Sequence, residues 1–305
     1  MEKIELINVN ESNSPNKNRS KYVVESITEK IFMVSALVAV ISLLLIIGFV
    51  FYKGLMPFVT EGYSFVDFIF GTEWLPGSKK FGIGSMIVTS TVATIGALII
   101  GVPVGIFAAI FIAEICPRKY SKIISTAVEL LAGIPSVLYG IFGLAVIVPT
   151  IQDVLNLPKG QSLLAVIFVL AIMMLPTIIS LSETSIRAVP KAYKEGSLAL
   201  GASKIETIFK VTVPSAKSGI LAGVILGIGR ALGETMAVIL VAGNSTAFPT
   251  SLVDSVRPLT TNIALEMGYA AGTHQNMLFA TGVVLFIFII IINLVLTKLT
   301  SKGVE

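Results

Sequence analysis

Reactive and metal-binding chemistry is nearly absent from this chain of 305 residues, which holds one cysteine, one histidine and one tryptophan. The lone thiol, Cys116, excludes an intrachain disulfide. The lone imidazole, His274, lies in a polar stretch with no cysteine or histidine cluster around it, and is expected to be a solvated loop side chain. No Gly-x-x-x-x-Gly-Lys-Ser/Thr run occurs, so the chain carries no P-loop and is not an ATP-hydrolysing motor. Paired aspartates, His-Glu-x-x-His and Ser/Lys arrangements are missing from the apolar blocks, which removes the intramembrane hydrolases. Charge is scarce as well. Asp, Glu, Lys and Arg make up 13% of the residues against 54% hydrophobic, where an ordinary soluble domain carries about 25% charged residues.

The apolar residues are concentrated in six long blocks: Ile31–Tyr52, Ser85–Ile112, Ile123–Val148, Leu163–Leu181, Ser215–Val241 and Leu278–Thr297. Each is long enough to cross about 30 Å of hydrocarbon at about 1.5 Å per helical residue. In lipid every backbone polar group must be satisfied internally, so an all-α, six-span bundle is expected. Sixteen lysines and arginines fall on the side that holds both termini and five on the other, with Arg230 inside the membrane. The positive-inside rule therefore places both termini in the cytoplasm, and the net charge of +4 reflects topology. The first apolar block is too long for a signal-peptide core and reads as an uncleaved span. Residues 1–30 form a cytoplasmic tail, its first 20 positions rich in Asn, Ser and charge and expected to be disordered. Residues 31–300 form the membrane domain.

Arg230 stands out because a cation at bilayer depth costs about 2.5–3.5 kcal/mol on insertion scales. Glu234 follows four positions later within the same apolar run. At about 100° per residue, with Gly219 at zero, Gly223 falls at about 40°, Gly227 at about 80°, Arg230 at about 20° and Glu234 at about 60°. A continuous helix would thus carry the three glycines and both charges on one face. The glycines let another helix approach. The charges suggest a gated path for a charged solute, or an ion pair that only fixes helix register.

Two segments are expected outside. Residues 53–84 carry Phe58, Tyr63, Phe65, Phe68, Phe70 and Trp74, readable as interfacial anchors or as a docking surface. Residues 244–276 are polar and Thr-rich, with a short helix expected near Thr261–Ala270. The third block is broken by Pro135 among three glycines within residues 131–143, and Pro103 is expected to bend the second. Glu129 is expected to be solvated near the cytoplasmic end.

The cytoplasmic segment 183–214 contains EGSLALGASKIETIFKVTVP, Glu195 to Pro214. Leu198, Ala202, Ile205 and Phe209 recur at helical spacing, while Gly201 allows a turn between two short helices. Such an amphipathic element suits either a groove of another protein or the membrane surface. Glu195, Gly196 and Ser197, then three intervening residues and Gly201, then nine more and Val211-Thr212-Val213-Pro214, resemble the EAA loop of ABC importer permeases. Arg187–Ala202, Val128–Gly143 and Gly227–Asn244 further resemble the phosphate-specific permeases of PstC type. The resemblance runs from about Ile31 to the end. It implies a type I ABC importer permease fold in the cell membrane and a phosphate path at Arg230 and Glu234. It also implies ATPase coupling through Glu195, Gly196, Ser197, Leu198, Gly201, Ala202, Ile205, Phe209 and Pro214. The partners implied are a PstA-type second permease, two PstB-type ATPases that hold ATP and magnesium, and an external PstS-type binding protein. No cofactor is expected on this chain. Related permeases carry other oxyanions, such as molybdate or phosphonate. A scaffold or sensor without transport is the more distant alternative.

Overall fold

The computed structural model describes residues 15–301, and helix α1 (Pro15–Thr60) opens it. Residues 15–20, expected to be disordered, are helical; the rest of that expectation lies outside the described residues. The chain divides into two compact units, one ending at Val50 and the other beginning at Phe51. The first is helical throughout its described part. The second contains everything below.

From Phe51 the chain forms α2 (Phe65–Phe70), a two-stranded antiparallel hairpin of β1 (Trp74–Leu75) and β2 (Lys80–Phe81), and then α3 (Gly84–Ile110), which ends in a π-helical turn at Phe111–Ile115. Next come α4 (Arg118–Ala132), α5 (Ser136–Phe142), a second π turn and α6 (Val148–Val154). After α7 (Leu163–Ala188) follow the short helices α8 (Lys191–Ala199), α9 (Lys204–Thr207) and α10 (Val213–Ser215). The chain finishes with α11 (Lys217–Gly233), α12 (Met236–Val241), α13 (Leu259–Glu266) and α14 (Thr273–Ser301).

Among the described residues, five helical segments are long and apolar enough to cross a membrane: Lys21–Thr60, Gly84–Ile115, Ser136–Val154, Leu163–Ala188 and Thr273–Val295. A sixth comes from a pair bent by 68°, in which Lys204–Ser215 leads into Lys217–Gly233. Two of the expected blocks are corrected. The third span begins at Ser136, because the chain breaks completely at Gly133–Pro135 and leaves α4 as a separate amphipathic helix. The fifth stops at Gly233 instead of running to Val241. Pro103 does not interrupt α3, which continues to Ile110.

The core centres on α7, which lies between α3 and α11. All three surfaces are apolar, so hydrophobicity does not select their mutual approach; small residues do. A methyl group on Gly105 of α3 would sit 2.8 Å from Ile178 Cγ2, and one on Gly227 of α11 would sit 3.0 Å from Ile178 Cγ1. Ile178, fully buried, thus fills the space left by glycines on both neighbours.

Two of the six aromatics expected as anchors or a docking surface are instead core residues. Phe68 and Trp74 are buried with Phe81 against Met86, Leu259 and Met277. Phe58 stacks edge-on with Phe65 and Phe68 at 5.3 and 5.2 Å, and Trp74 with Phe81 at 5.5 Å. Only Phe65 and Phe70 stay exposed. This small core is fastened by Glu266, whose side chain is 8% exposed. It accepts hydrogen bonds from Trp74 Nε1 at 2.8 Å and Arg257 Nη1 at 2.6 Å, and lies 2.8 Å from His274 Nε2. His274 is therefore a half-buried structural side chain, and the expectation of a solvated one fails. The short helix expected near residues 261–270 is α13, at Leu259–Glu266. Glu129 is exposed.

Candidate functional site

Arg230 occupies the last turn of α11, where a cation is favoured by the carbonyl end of the helix. It is half-buried and acts electrostatically on the phenol of Tyr139 on α5. Tyr139 in turn donates to the carbonyl of Leu131 at 2.7 Å, bridging the break at Gly133–Pro135. Gly219, Gly223 and Gly227, on the same face of α11 as Arg230, pack on α7. Methyl groups there would clash with Ser185 Oγ and meet Leu181 Cβ at 3.1 Å and Ile178 Cγ1 at 3.0 Å. Leu226 and Gly233 are exposed.

Glu234 does not continue this helix. Its backbone is extended, with φ −68° and ψ 130°, and it terminates α11. Its Oε1 accepts the Ala237 N–H at 3.0 Å, capping the start of α12, and its carbonyl accepts the Thr260 hydroxyl at 2.9 Å. Among the described residues no ion pair joins Arg230 to Glu234. The expectation of two charges on one continuous helix face is corrected. The first free N–H groups of α12 needed an acceptor, and Glu234 supplies it. The space beside Glu234, lined by Ser90, Thr94 and Thr260, amounts to about 10 Å³. That admits at most one water. Both charges are half-exposed.

The segment after α7 leaves most of α8 exposed. Gly201, with φ +86°, turns the chain between α8 and α9, a conformation open to few residues other than glycine. Ser203 and Glu206 then start α9 with a reciprocal capping box: Ser203 Oγ accepts the Glu206 N–H at 3.2 Å, and Glu206 Oε2 accepts the Ser203 N–H at 3.0 Å. These bonds hold the Glu206 carboxyl below its ordinary range. The hydroxyls of Ser197 and Thr207 lie 3.0 Å apart and tie α8 to α9. Because of the turn, Leu198, Ala202, Ile205 and Phe209 do not form one helical stripe. Leu198, Ile205 and Phe209 are exposed, Ala202 lies in the turn, and Glu195, Gly196 and Pro214 are exposed around them. Leu200, 91% exposed at the tip, is the most prominent apolar side chain there and was not singled out by the periodicity. Tyr193 joins the same exposed set.

Helices of spanning length packed through glycine, with broken spans and an exposed apolar segment, define a multi-pass membrane protein. The chain belongs to the family of binding-protein-dependent transport system inner membrane components, whose model matches residues 101–303. It is 39% identical to the probable ABC transporter permease protein YqgH of Bacillus subtilis, over 88% of each chain. It is 37% identical to the phosphate transport system permease protein PstC of Xylella fastidiosa, over 78% of this chain and 80% of that one. For PstC of Mesorhizobium japonicum the figures are 35% and 88% of each. Among solved structures, a bacterial ABC transporter that imports the acidic polysaccharide alginate aligns with TM-score 0.64 and 17% identity, over 92% of this chain and 99% of that one. The MetNI methionine ABC transporter aligns at TM-score 0.55 and 19% identity, over 73% and 94%. These last two likenesses establish the fold alone.

Proposed function

We propose that the chain is the PstC-type permease subunit of an importer for inorganic phosphate. Both termini lie in the cytoplasm, and the segment from α8 to α10 docks an ATPase subunit that holds ATP and magnesium. A PstA-type permease completes the path and an external binding protein delivers the anion. The observation that carries this reading is Arg230, half-exposed within the spans at the end of α11. A guanidinium there offers charge-assisted hydrogen bonds to phosphate oxygens in transit, and the cost of keeping it at that depth calls for a function. Relatives bearing the phosphate-transport name support the choice of anion. Glu234 moderates the positive potential from the adjacent helix break, so the anion is held weakly enough to leave. The test is uptake of labelled phosphate by cells lacking the chain, with and without its restoration. Restored phosphate uptake is the expected result; restored uptake of molybdate or phosphonate alone would reassign the substrate.

A further inference from the structure

An open groove of about 400 Å³, lined by charged and hydroxyl side chains, lies between the start of α4 and the end of α7. Arg118, Ser121, Lys122 and Ser125 line it from α4, and Glu183 and Arg187 from α7. The path at Arg230 and the exposed apolar tip at Leu200 use none of these residues.

The charges in it do not balance. Its one carboxylate, Glu183, has a side chain 9% exposed and is already engaged, accepting from Arg187 Nε at 2.9 Å and Ser125 Oγ at 2.7 Å. Arg187 is fixed further by donating from Nη2 to the Ile112 carbonyl at 3.2 Å and to Ser121 Oγ at 2.5 Å. Its side chain nevertheless stays 45% exposed. Arg118 and Lys122, one turn apart on α4, are exposed, and neither has a carboxylate within 4.0 Å among the described residues. They also stand in the first turns of a 15-residue helix, the end at which its dipole disfavours positive charge. Three cations around one groove, one of them locked in place and two uncompensated, form a site for an anion.

We propose that this groove binds a phosphate group, with Arg187 as the preorganised donor and Arg118 and Lys122 closing over it. Arg187, with Nε and Nη2 already engaged, has Nη1 left to donate; the Arg118 guanidinium can match phosphate oxygens in a pair, and the lysine adds a mobile point charge. The chemistry is shared by free orthophosphate and by the headgroup of an anionic lipid, since the groove lies at the ends of spans where headgroups reside. The place has consequences for the docking segment. Arg187 stands three positions before Pro190, which precedes α8, and Ile112 stands two before Glu114, which pairs with Lys194 of α8. An occupant would therefore brace both supports of that helix.

The experiment uses the assembled transporter in neutral detergent and two probes, phosphatidylglycerol and labelled orthophosphate, with phosphatidylcholine as the neutral control. Binding is compared between the wild type and Arg118→Gln/Lys122→Gln. Loss of two charge-assisted contacts is expected to weaken the bound probe by about tenfold or more. In the wild type, acetylation of Lys122 is expected to fall when that probe is present, while Lys210, with its side chain 75% exposed, reacts as before. Protection by phosphatidylglycerol assigns the site to lipid, and protection by orthophosphate assigns it to the free anion. Failure of both probes to protect Lys122, or unchanged binding in the double variant, overturns the proposal. If the double variant does not assemble, the wild-type footprint decides. The lipid outcome stands whichever anion the transporter carries, so the two readings fail separately.

Discussion

The carboxylate of Glu114, in the π-helical turn that ends α3, pairs with the ammonium of Lys194 on α8. The two side chains are 13% and 24% exposed, so water screens the pair far less than it would a surface bridge. The bond joins the segment proposed to dock the ATPase to a span that packs, glycine against isoleucine, on the centre of the bundle. The pair ties α8 to the end of α3.

Breaking the pair should uncouple the machine before it unfolds it. Glu114→Gln leaves the Lys194 ammonium partly buried without its partner, at a cost of about 2 kcal/mol. The expected outcome is a complex that still assembles but whose ATP hydrolysis responds less to loaded binding protein. Exchanging the charges, Glu114→Lys with Lys194→Glu, should recover part of the response. An unchanged ratio of ATP hydrolysed to phosphate imported in the single variant would remove the pair from the transmission route.

Leu200 provides a cleaner test of the docking surface than the more deeply seated residues of the segment. At 91% exposure it supports nothing within its own chain, and the turn beside it is fixed by Gly201. Leu200→Asp should leave membrane insertion and stability unchanged to within about 0.5 kcal/mol, as for other surface substitutions. It should sharply reduce the amount of ATPase that co-purifies, because a charge would be desolvated in an apolar interface. Undiminished recovery of ATPase with the variant would show that the tip faces elsewhere.

The glycine face of α11 and the existence of the spans were legible because spacing and composition alone determine them. The break at Glu234 was not. No proline marks it, and it is stabilised by Thr260, a residue 26 positions away that sequence periodicity does not connect to it. The burial of Trp74 was hidden for the same reason: Trp74 finds Glu266 across 192 residues, and no local pattern carries that. The turn at Gly201 between two short helices was legible, and it parts Leu198 from Ile205 and Phe209 despite their helical spacing. Ser203 and Glu206 spell a capping box in the sequence, and the Ser-x-x-Glu signal marks a helix restart that rules out one continuous stripe.

Packing around Ile178 predicts a steep response to volume at Gly227. Valine there would place branched carbon where a Cβ already lies 3.0 Å from Ile178 Cγ1, and Gly105 presses on the same side chain from α3. Overpacking of this kind costs about 1–3 kcal/mol. Thermal unfolding of the purified chain in detergent should report the loss, and Ile178→Val in the same chain should return part of it by vacating volume. A Gly227→Val variant as stable as wild type would mean that α11 and α7 separate more freely than their contact implies.

The charged residues at the end of α11 should act independently. Arg230→Gln removes the cation while keeping much of the side chain's bulk, and is expected to abolish phosphate uptake with assembly near normal. Arg230→Lys should recover only part, since it retains charge without the planar fork that matches phosphate. Glu234→Gln keeps an oxygen to accept the Ala237 N–H and should be mild. Glu234→Ala removes the cap of α12 and should destabilise by about 1 kcal/mol. Because Glu234 is spent on that cap, and no ion pair with Arg230 exists among the described residues, the two side chains share no partner within the chain. Uptake by Arg230→Lys, Glu234→Gln and the double variant, converted to activation free energies, should therefore add to within about 0.5 kcal/mol. A coupling energy well above that would restore an ion pair between them in some state of the transport cycle. Normal uptake by Arg230→Gln, with assembled complex measured alongside, would make Arg230 a structural residue and end its assignment to the phosphate path.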